Sequence, residues 1–238
     1  MKTCLLVKQQ KKQSVFLALI LLGLSYQLAE SQTTGLVAAY AFNEGTGTTV
    51  ADSSGHGLTG TISGAAWTAG GKFGNALAFN GTSALVTIPN AALLQLTVGM
   101  TLEAWVNPTA VNNAWRDIIY KANDNYYLEG MSPQSQRPAM GGTFSPSPLY
   151  GTAALTVNTW THLAATYDGT TMKLYVNGAQ VGSSAQTGSI ATSTNPLQIG
   201  GDATYGQYFQ GMIDEVRIYS RALAQTEIQT DMNTPVTP

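Results

Sequence analysis

The sequence of 238 residues is poor in charge and cysteine and has no long apolar run. Only 10% of the residues are charged and the formal net charge is −2, so the chain lacks the basic surface that binds a phosphate backbone. Cys4 is the single cysteine and leaves no disulfide within the chain. A hydrophobic fraction of 44% excludes a disordered chain. We therefore expect a domain that is stabilised by its core and has no nucleic-acid partner.

The first 31 residues have the pattern of a secretory signal peptide. Lysines precede an apolar run over residues 15–24, and ten residues are too few for a membrane-spanning helix, which takes about twenty. Ala29 and Ser31 are the small residues expected before a cleavage site at Gln32. The alternative is an uncleaved anchor. Cleavage predicts a secreted or extracellular protein, or a periplasmic one in a Gram-negative bacterium, without a membrane span.

Alternating apolar residues and turn dipeptides recur from Gln32 onward, which is typical of short antiparallel strands. The clearest segment is 162–184, where Asp168-Gly169 and Asn177-Gly178 each separate two alternating runs. These dipeptides supply the positive φ of tight hairpins, so the segment predicts a three-stranded meander. About a dozen such strands without a long helix predict an all-β, two-sheet antiparallel sandwich or a barrel.

The C-terminal end departs from the strand pattern. Residues 226–232 are the one convincing helical segment, and residues 233–238 are rich in Pro and Thr. We assign residues 32–232 to one domain. Residues 233–238 are predicted to be either the start of a linker to other domains of a longer chain or a frayed C-terminus.

Five segments in order carry a resemblance to a known family. They are AAYAFNEGTGTTVADSSGHGLTGTI (38–62), GKFGNALAFNG (71–81), TLEAWVNP (101–108), WTHLAATYDGTTMKLYVNGAQV (160–181) and IDEVRIYSRALAQTEI (213–228). Together they resemble the laminin-G-like, concanavalin A-like jelly-roll family. The resemblance implies a jelly-roll sandwich with a short C-terminal helix and a role as a binding domain of extracellular proteins. It does not imply one ligand, because this fold carries lectins, enzymes and structural modules.

Two loop regions, 112–150 and 202–211, collect aromatic residues among Gly, Ser, Asn and Pro. Loops on a rigid sandwich often carry ligand contacts, and aromatic faces can stack on the apolar faces of sugars. The candidate ligand-binding residues are Trp115, Arg116, Tyr120, Tyr126, Tyr127, Tyr150, Tyr205 and Tyr208. The alternative for each tyrosine is ordinary packing in the core.

The resemblance also implies a structural calcium site where the first and last strands meet. The candidate ligands are Asn43, Glu44, Asp52, His56 and Asp214, whose oxygen-rich set suits calcium. Asn43 stands where relatives commonly have Asp, which weakens the case. The alternative is that Asp52 caps the following turn and that Asp214 pairs with an arginine.

The spacing of carboxylates argues against catalysis. Glycoside hydrolysis needs two carboxylates about 5 to 9.5 Å apart across a cleft. Glycosidases of the family in question carry Glu, Asp and Glu at alternate positions of one strand, a spacing absent here. Glu103 stands alone, whereas Asp214 and Glu215 are adjacent and would point to opposite faces of a strand.

The expected function is that of a secreted, non-catalytic binding module for carbohydrate. Its expected partner is an extracellular glycan or glycoprotein. A second interpretation is an adhesion or structural module that binds protein or separates other domains. A glycoside hydrolase or polysaccharide lyase is the third and least favoured interpretation.

Overall fold

The computed structural model describes residues 34–237. The predicted signal peptide and its cleavage site lie outside the described residues. Within residues 34–237 the strands are β1 (Leu36–Tyr40), β2 (Thr49–Val50), β3 (Gly60–Ser63), β4 (Ala66–Thr68), β5 (Ala76–Asn80), β6 (Leu85–Ile88), β7 (Met100–Pro108), β8 (Arg116–Lys121), β9 (Tyr126–Met131), β10 (Ala139–Gly142), β11 (Leu149–Tyr150), β12 (Thr161–Tyr167), β13 (Thr171–Val176), β14 (Ala179–Ala185), β15 (Leu197–Ile199) and β16 (Gln210–Tyr219). A 3-10 turn spans Ala92–Leu94, and the helix α1 spans Gln225–Asp231.

The strands form two antiparallel sheets of eight strands each. Sheet A has the order β14-β13-β12-β7-β16-β5-β4, and β1 also pairs with β16. Sheet B has the order β11-β10-β9-β8-β15-β6-β3-β2. Because neighbours in the sheets are often distant in sequence, the architecture is the predicted jelly-roll sandwich with a short C-terminal helix. None of the described helices has the length and apolar character that crossing a bilayer requires.

The predicted meander is present as β12, β13 and β14. Asn177 and Gly178 both have positive φ, 49° and 73°, as a two-residue turn of this kind requires. Gly169 has φ of 89° at the preceding turn. The registers confirm that the three strands are consecutive antiparallel neighbours, for example Ala164 opposite Tyr175.

The core lies between the sheets and is built from alternate residues of both. In β9, Tyr126 and Leu128 belong to this core, so Tyr127 and Glu129 point to the outer face of sheet B. Register shifts on either side of Asp117 in β8 allow the consecutive residues Ile118 and Ile119 to be buried in the same core. The outer face of sheet B therefore receives Asp117 and Glu129 as register partners.

The outer face of sheet A is covered by α1 and the tail that follows it. Ile228 of α1 packs with Tyr219 and Tyr175 of the sheet. The tail is held by hydrogen bonds: Trp105 Nε1 donates to the Met232 carbonyl over 3.1 Å, and Arg217 donates to the Thr234 carbonyl. The structure thus places residues predicted as a linker or frayed end against the domain.

Candidate functional site

A cavity of about 440 Å³ opens on the outer face of sheet B. Its floor comes from β9 and β10, and its walls come from the loops after β10 and β15 and from the β8–β9 turn. The lining residues are Trp115, Asp124, Tyr127, Glu129, Gly142, Thr143, Ser145, Pro146, Pro148, Tyr205 and Gln207. Aromatic side chains with a few polar groups are the usual lining of a small-molecule site, which makes this cavity the candidate pocket.

Two aromatic rings form a platform at one side of the pocket. The rings of Trp115 and Tyr150 are stacked, with centroids 6.1 Å apart and an interplanar angle of 25°. The guanidinium of Arg137 lies 5.6 Å from the centroid of the Tyr150 ring. These contacts restrict the orientation of Trp115, the member of the platform that lines the cavity.

Tyr205 supplies the opposite wall and is the most exposed aromatic residue within residues 34–237, with 55% of its surface accessible. Its hydroxyl donates to Asp124 Oδ2 over 3.3 Å. The Tyr120 hydroxyl donates to the other oxygen of Asp124 over 3.1 Å, and the rings of Tyr120 and Tyr205 meet edge to face. Tyr120 is buried and therefore supports Tyr205 and Asp124 from below without reaching the pocket.

Two carboxyl groups face each other beneath the pocket. Asp117 and Glu129 are register partners on β8 and β9, and both are buried. Within residues 34–237, no N–H or O–H group donates to either oxygen of Asp117 or to Glu129 Oε2. When both are ionised, the two carboxylates repel each other, which together with burial favours the protonated form of one of them. Burial raises the pKa of Asp117 well above its usual range and that of Glu129 to about 7.

A third acidic residue, Asp202, holds the loop after β15 next to this pair. Its oxygens accept the backbone N–H groups of Tyr205 and of Gln207, the latter over 3.0 Å. The Asp117 N–H in turn donates to the Gln207 carbonyl over 3.1 Å. The loop that carries Tyr205 is thereby fixed to β8 at the position of the acid pair.

The sequence-predicted ligand residues divide between the pocket and its surroundings. Trp115, Tyr127 and Tyr205 line the cavity, and Tyr150 contacts it through Trp115. Arg116 is half-buried and its Nη1 donates to the Trp115 carbonyl over 2.9 Å. Tyr208 is half-buried and packs close to Gly201.

Tyr126 does not belong to the pocket. It is only 1% exposed, and its hydroxyl donates to the Leu94 carbonyl over 3.0 Å in the core. Its inclusion among the ligand candidates is corrected to a packing role, because Tyr126 and Tyr127 are adjacent in a strand and point to opposite faces.

Sequence reasoning missed the acidic part of the site. Asp124 and Glu129 line the cavity, and Asp117 and Asp202 lie behind it. The available signal was the alternation of Tyr127 with Glu129 in YYLEG, which places the two side chains on one face. The position of Asp117 opposite Glu129 could not be predicted from the sequence, because it depends on the register between β8 and β9.

The five calcium candidates are not assembled into a cation site. Asp52 accepts the N–H groups of Ala39, Ser54 and Leu58 over 2.9 to 3.0 Å. Burial opposes ionisation, but these bonds and the one from the Ser54 hydroxyl hold the pKa of Asp52 below its usual value. The turn cap considered as the alternative for Asp52 is therefore present.

The remaining candidates also take part in hydrogen bonds. Asn43 Oδ1 accepts from the Asn75 N–H, and Glu44 Oε1 from the Ala51 N–H. Asp214 accepts from Phe73 and Glu215, and His56 Nδ1 lies 3.0 Å from the Val37 carbonyl. Among residues 34–237, no group of three His, Cys, Asp or Glu side chains is placed to hold a metal. Calcium takes six to eight oxygen ligands, and an ion at this corner would have to replace these hydrogen bonds.

The two packed antiparallel sheets define a jelly-roll domain. The chain belongs to the concanavalin A-like lectin/glucanase superfamily, whose family model matches residues 80–229. Pappalysin-1 of Mus musculus is 46% identical over 80 residues, and that of Homo sapiens is 45% identical. The match covers 32% of this chain and only 5% of the length of either pappalysin.

Solved structures share the fold over most of the chain. Domain 4 of AbnA, an extracellular arabinanase of Geobacillus stearothermophilus, was solved in complex with arabinotriose. It is 25% identical with a TM-score of 0.66, covering 83% of this chain and 98% of that domain. The binding domain of botulinum neurotoxin DC in complex with SialylT is 13% identical with a TM-score of 0.64, covering 85% of this chain and 52% of that one. The second likeness shows the fold alone.

Proposed function

We propose that this chain is a non-catalytic carbohydrate-binding module of an extracellular protein and that it binds glycan in the pocket on sheet B. The observation that carries the proposal is the pairing of the Trp115–Tyr150 platform with polar groups across the same cavity. A flat aromatic face packs on the apolar face of a sugar ring, while carboxylate and amide groups bond its hydroxyls. The arabinotriose complex of AbnA domain 4 supports this proposal.

The burial of the acid pair supports a non-catalytic role. Asp117 is fully buried, and Glu129 is 3% exposed. A glycosidase needs two carboxyl groups that flank the scissile bond across a cleft. Asp117 and Glu129 are instead register partners on neighbouring strands beneath the pocket, which suits them to shaping it rather than to attacking a bond.

The test is a binding measurement with the purified full chain. A glycan array identifies ligands, and calorimetry with arabinotriose and with the best array ligand gives the affinity. We expect Trp115→Ala and Tyr205→Ala each to weaken binding by about tenfold or more, because each removes one stacking wall. Val98→Ala is the matched control, since Val98 is an exposed apolar side chain outside the pocket lining.

The alternatives give distinct results in the same experiment. Absence of glycan binding would contradict the proposal and favour the adhesion or spacer interpretation, with a glycoprotein or neighbouring domains as partner. New reducing ends or unsaturated products after incubation with polysaccharides would contradict the non-catalytic part. Repeating the titration in EDTA tests the calcium prediction, and detection of the protein in the culture medium tests secretion.

A further inference from the structure

The charged side chains that line the pocket are of one sign. Asp124 and Glu129 line the cavity, and none of the described lining residues is Lys or Arg. Behind the lining, Asp117 interacts with both Glu129 and Asp202. Two arginines lie beside the aromatic platform but outside the lining: Arg116 donates to the Trp115 carbonyl, and Arg137 lies over the Tyr150 ring.

Glu129 is the acidic side chain whose carboxyl group lacks a hydrogen-bond donor at the cavity. It is 3% exposed, it lines the cavity, and its Oε2 receives no hydrogen bond from residues 34–237. A buried acceptor without a donor is costly, so the pocket favours a ligand that brings donors and disfavours one that brings further negative charge. The hydroxyls of Tyr120 and Tyr205 already satisfy Asp124, which leaves its negative charge at the rim.

We propose that the pocket selects uncharged or amine-bearing glycans and excludes anionic ones, such as sialylated or uronate-containing glycans. This inference rests on the proposed function and adds the ligand class to it. Sugar hydroxyls and ammonium groups donate to carboxylates, whereas a ligand carboxylate would face Asp124 and Glu129 with no Lys or Arg in the lining. Like charges brought together at an interface are strongly unfavourable.

The test uses glycans in matched pairs that share a backbone and differ in charge. Galactotriose with trigalacturonate is such a pair, and an array supplies others, at neutral pH and low salt. We expect binding to neutral or amine-bearing members, with the anionic member of the same pair weaker by about tenfold or more. Equal or tighter binding of anionic members would overturn the inference while leaving the proposed function intact.

Two variants locate the selectivity in the pocket. Asp124→Asn removes a negative charge, and Glu129→Gln removes the charge that Glu129 carries when it is ionised; both keep the shape, and Asn tolerates the positive φ of 54° at position 124. We expect each variant to reduce the difference in affinity between the two members of a pair, whereas Glu44→Gln, which changes a carboxylate outside the lining, should not. If the difference in affinity between the neutral and the anionic member of a pair were unchanged in both variants, the inference would be overturned. Absence of binding to every glycan would overturn the proposed function, and this inference with it.

Discussion

At the scale of single residues, the acid pair links the pocket to the stability of the fold. Burial raises the pKa of Glu129 to about 7, above the value of 4.5 for an exposed glutamic acid. The folded state therefore binds the proton more tightly than the unfolded state, and stability falls as the pH rises from about 4.5 through about 7. Asp117, Asp214 and Glu215, whose pKa values burial also raises, contribute to the same fall. We expect the fall to be smaller in Glu129→Gln, by up to about 3 kcal/mol, because glutamine has no proton to release.

Urea unfolding of both proteins at pH values from about 5 to about 8 measures this effect. Glu44→Gln is the control, because Glu44 is exposed and a glutamine can still accept from the Ala51 N–H. The same pH dependence in Glu129→Gln as in the unchanged chain would contradict the assignment of the shift to Glu129.

His162 predicts the opposite dependence at lower pH. It is fully buried beside Trp105, and neither ring nitrogen has a hydrogen-bond partner among the described residues. Burial, with the positive charges of Arg217 and Lys72, lowers its pKa to about 3. The unfolded chain takes up the proton at about 6.5, so stability is lost as the pH falls from about 6.5 towards 3.

The variant His162→Leu removes this titration. We expect its stability to fall less than that of the unchanged chain between pH 6 and pH 4, by about 2–3 kcal/mol, in urea unfolding. His56→Gln is the matched control, because His56 is the other histidine and is exposed. Parallel curves for His162→Leu and the unchanged chain would show that His162 is not buried in its neutral form.

Single-residue roles were predictable only where they depend on local pattern. The aromatic content of the loops identified Trp115 and Tyr205, both of which line the cavity. The face of a residue in a strand follows from alternation, which separates Tyr126 from Tyr127 once the strand is located. The Asp117–Glu129 contact depends on register shifts in β8, and no pattern within either segment specifies those.

At the scale of elements, α1 begins without a side-chain cap. Ala224 occupies the N-cap position with extended backbone angles, φ −71° and ψ 155°, and has no polar side chain. Glu227 already supplies the return half of a capping box by accepting the Ala224 N–H over 2.8 Å. A serine at this position would accept a hydrogen bond from the first turn of the helix.

We therefore expect Ala224→Ser to stabilise the protein by about 1 kcal/mol, and to raise Tm by about 2–4 °C. Differential scanning calorimetry measures the change. Ala222→Ser adds the same hydroxyl two residues earlier, outside the cap position, and should not raise Tm. Equal effects of the two substitutions would contradict the capping explanation.

The strands were more predictable than their arrangement. Asp-Gly and Asn-Gly dipeptides fix hairpins locally, so the β12–β14 meander follows from the sequence alone. The pairing of β16 with β7, β5 and β1 joins segments far apart in the chain. The family resemblance indicated only that the first and last strands meet, and the partners β7 and β5 were not predicted. β16 has a bulge between Asp214 and Arg217, where Glu215 has φ of 55°. This bulge allows β16 to pair with β5 before it and with β1 after it.

At the scale of the whole molecule, the two outer faces of the sandwich have different roles. Sheet A is closed by α1 and the tail, which bond Trp105 and Arg217. Sheet B stays open and carries the pocket, with walls from loops that lie far apart in sequence. A rigid core between the sheets holds these loops in place, which suits a surface that binds ligand without a large rearrangement.

Whether calcium stabilises the whole fold is tested by measuring Tm in calcium and again in EDTA. We expect the same Tm in both, because Asp52 and Asp214 accept backbone N–H groups and the described residues hold no three-ligand cluster. An ion bound at 100 times its Kd would stabilise the fold by about 2.7 kcal/mol, which raises Tm by about 5–10 °C for a domain of this size. Such a rise would contradict the expectation. Its loss in Asp52→Asn but not in Glu129→Gln would then place the ion at the corner of the first and last strands, away from the pocket.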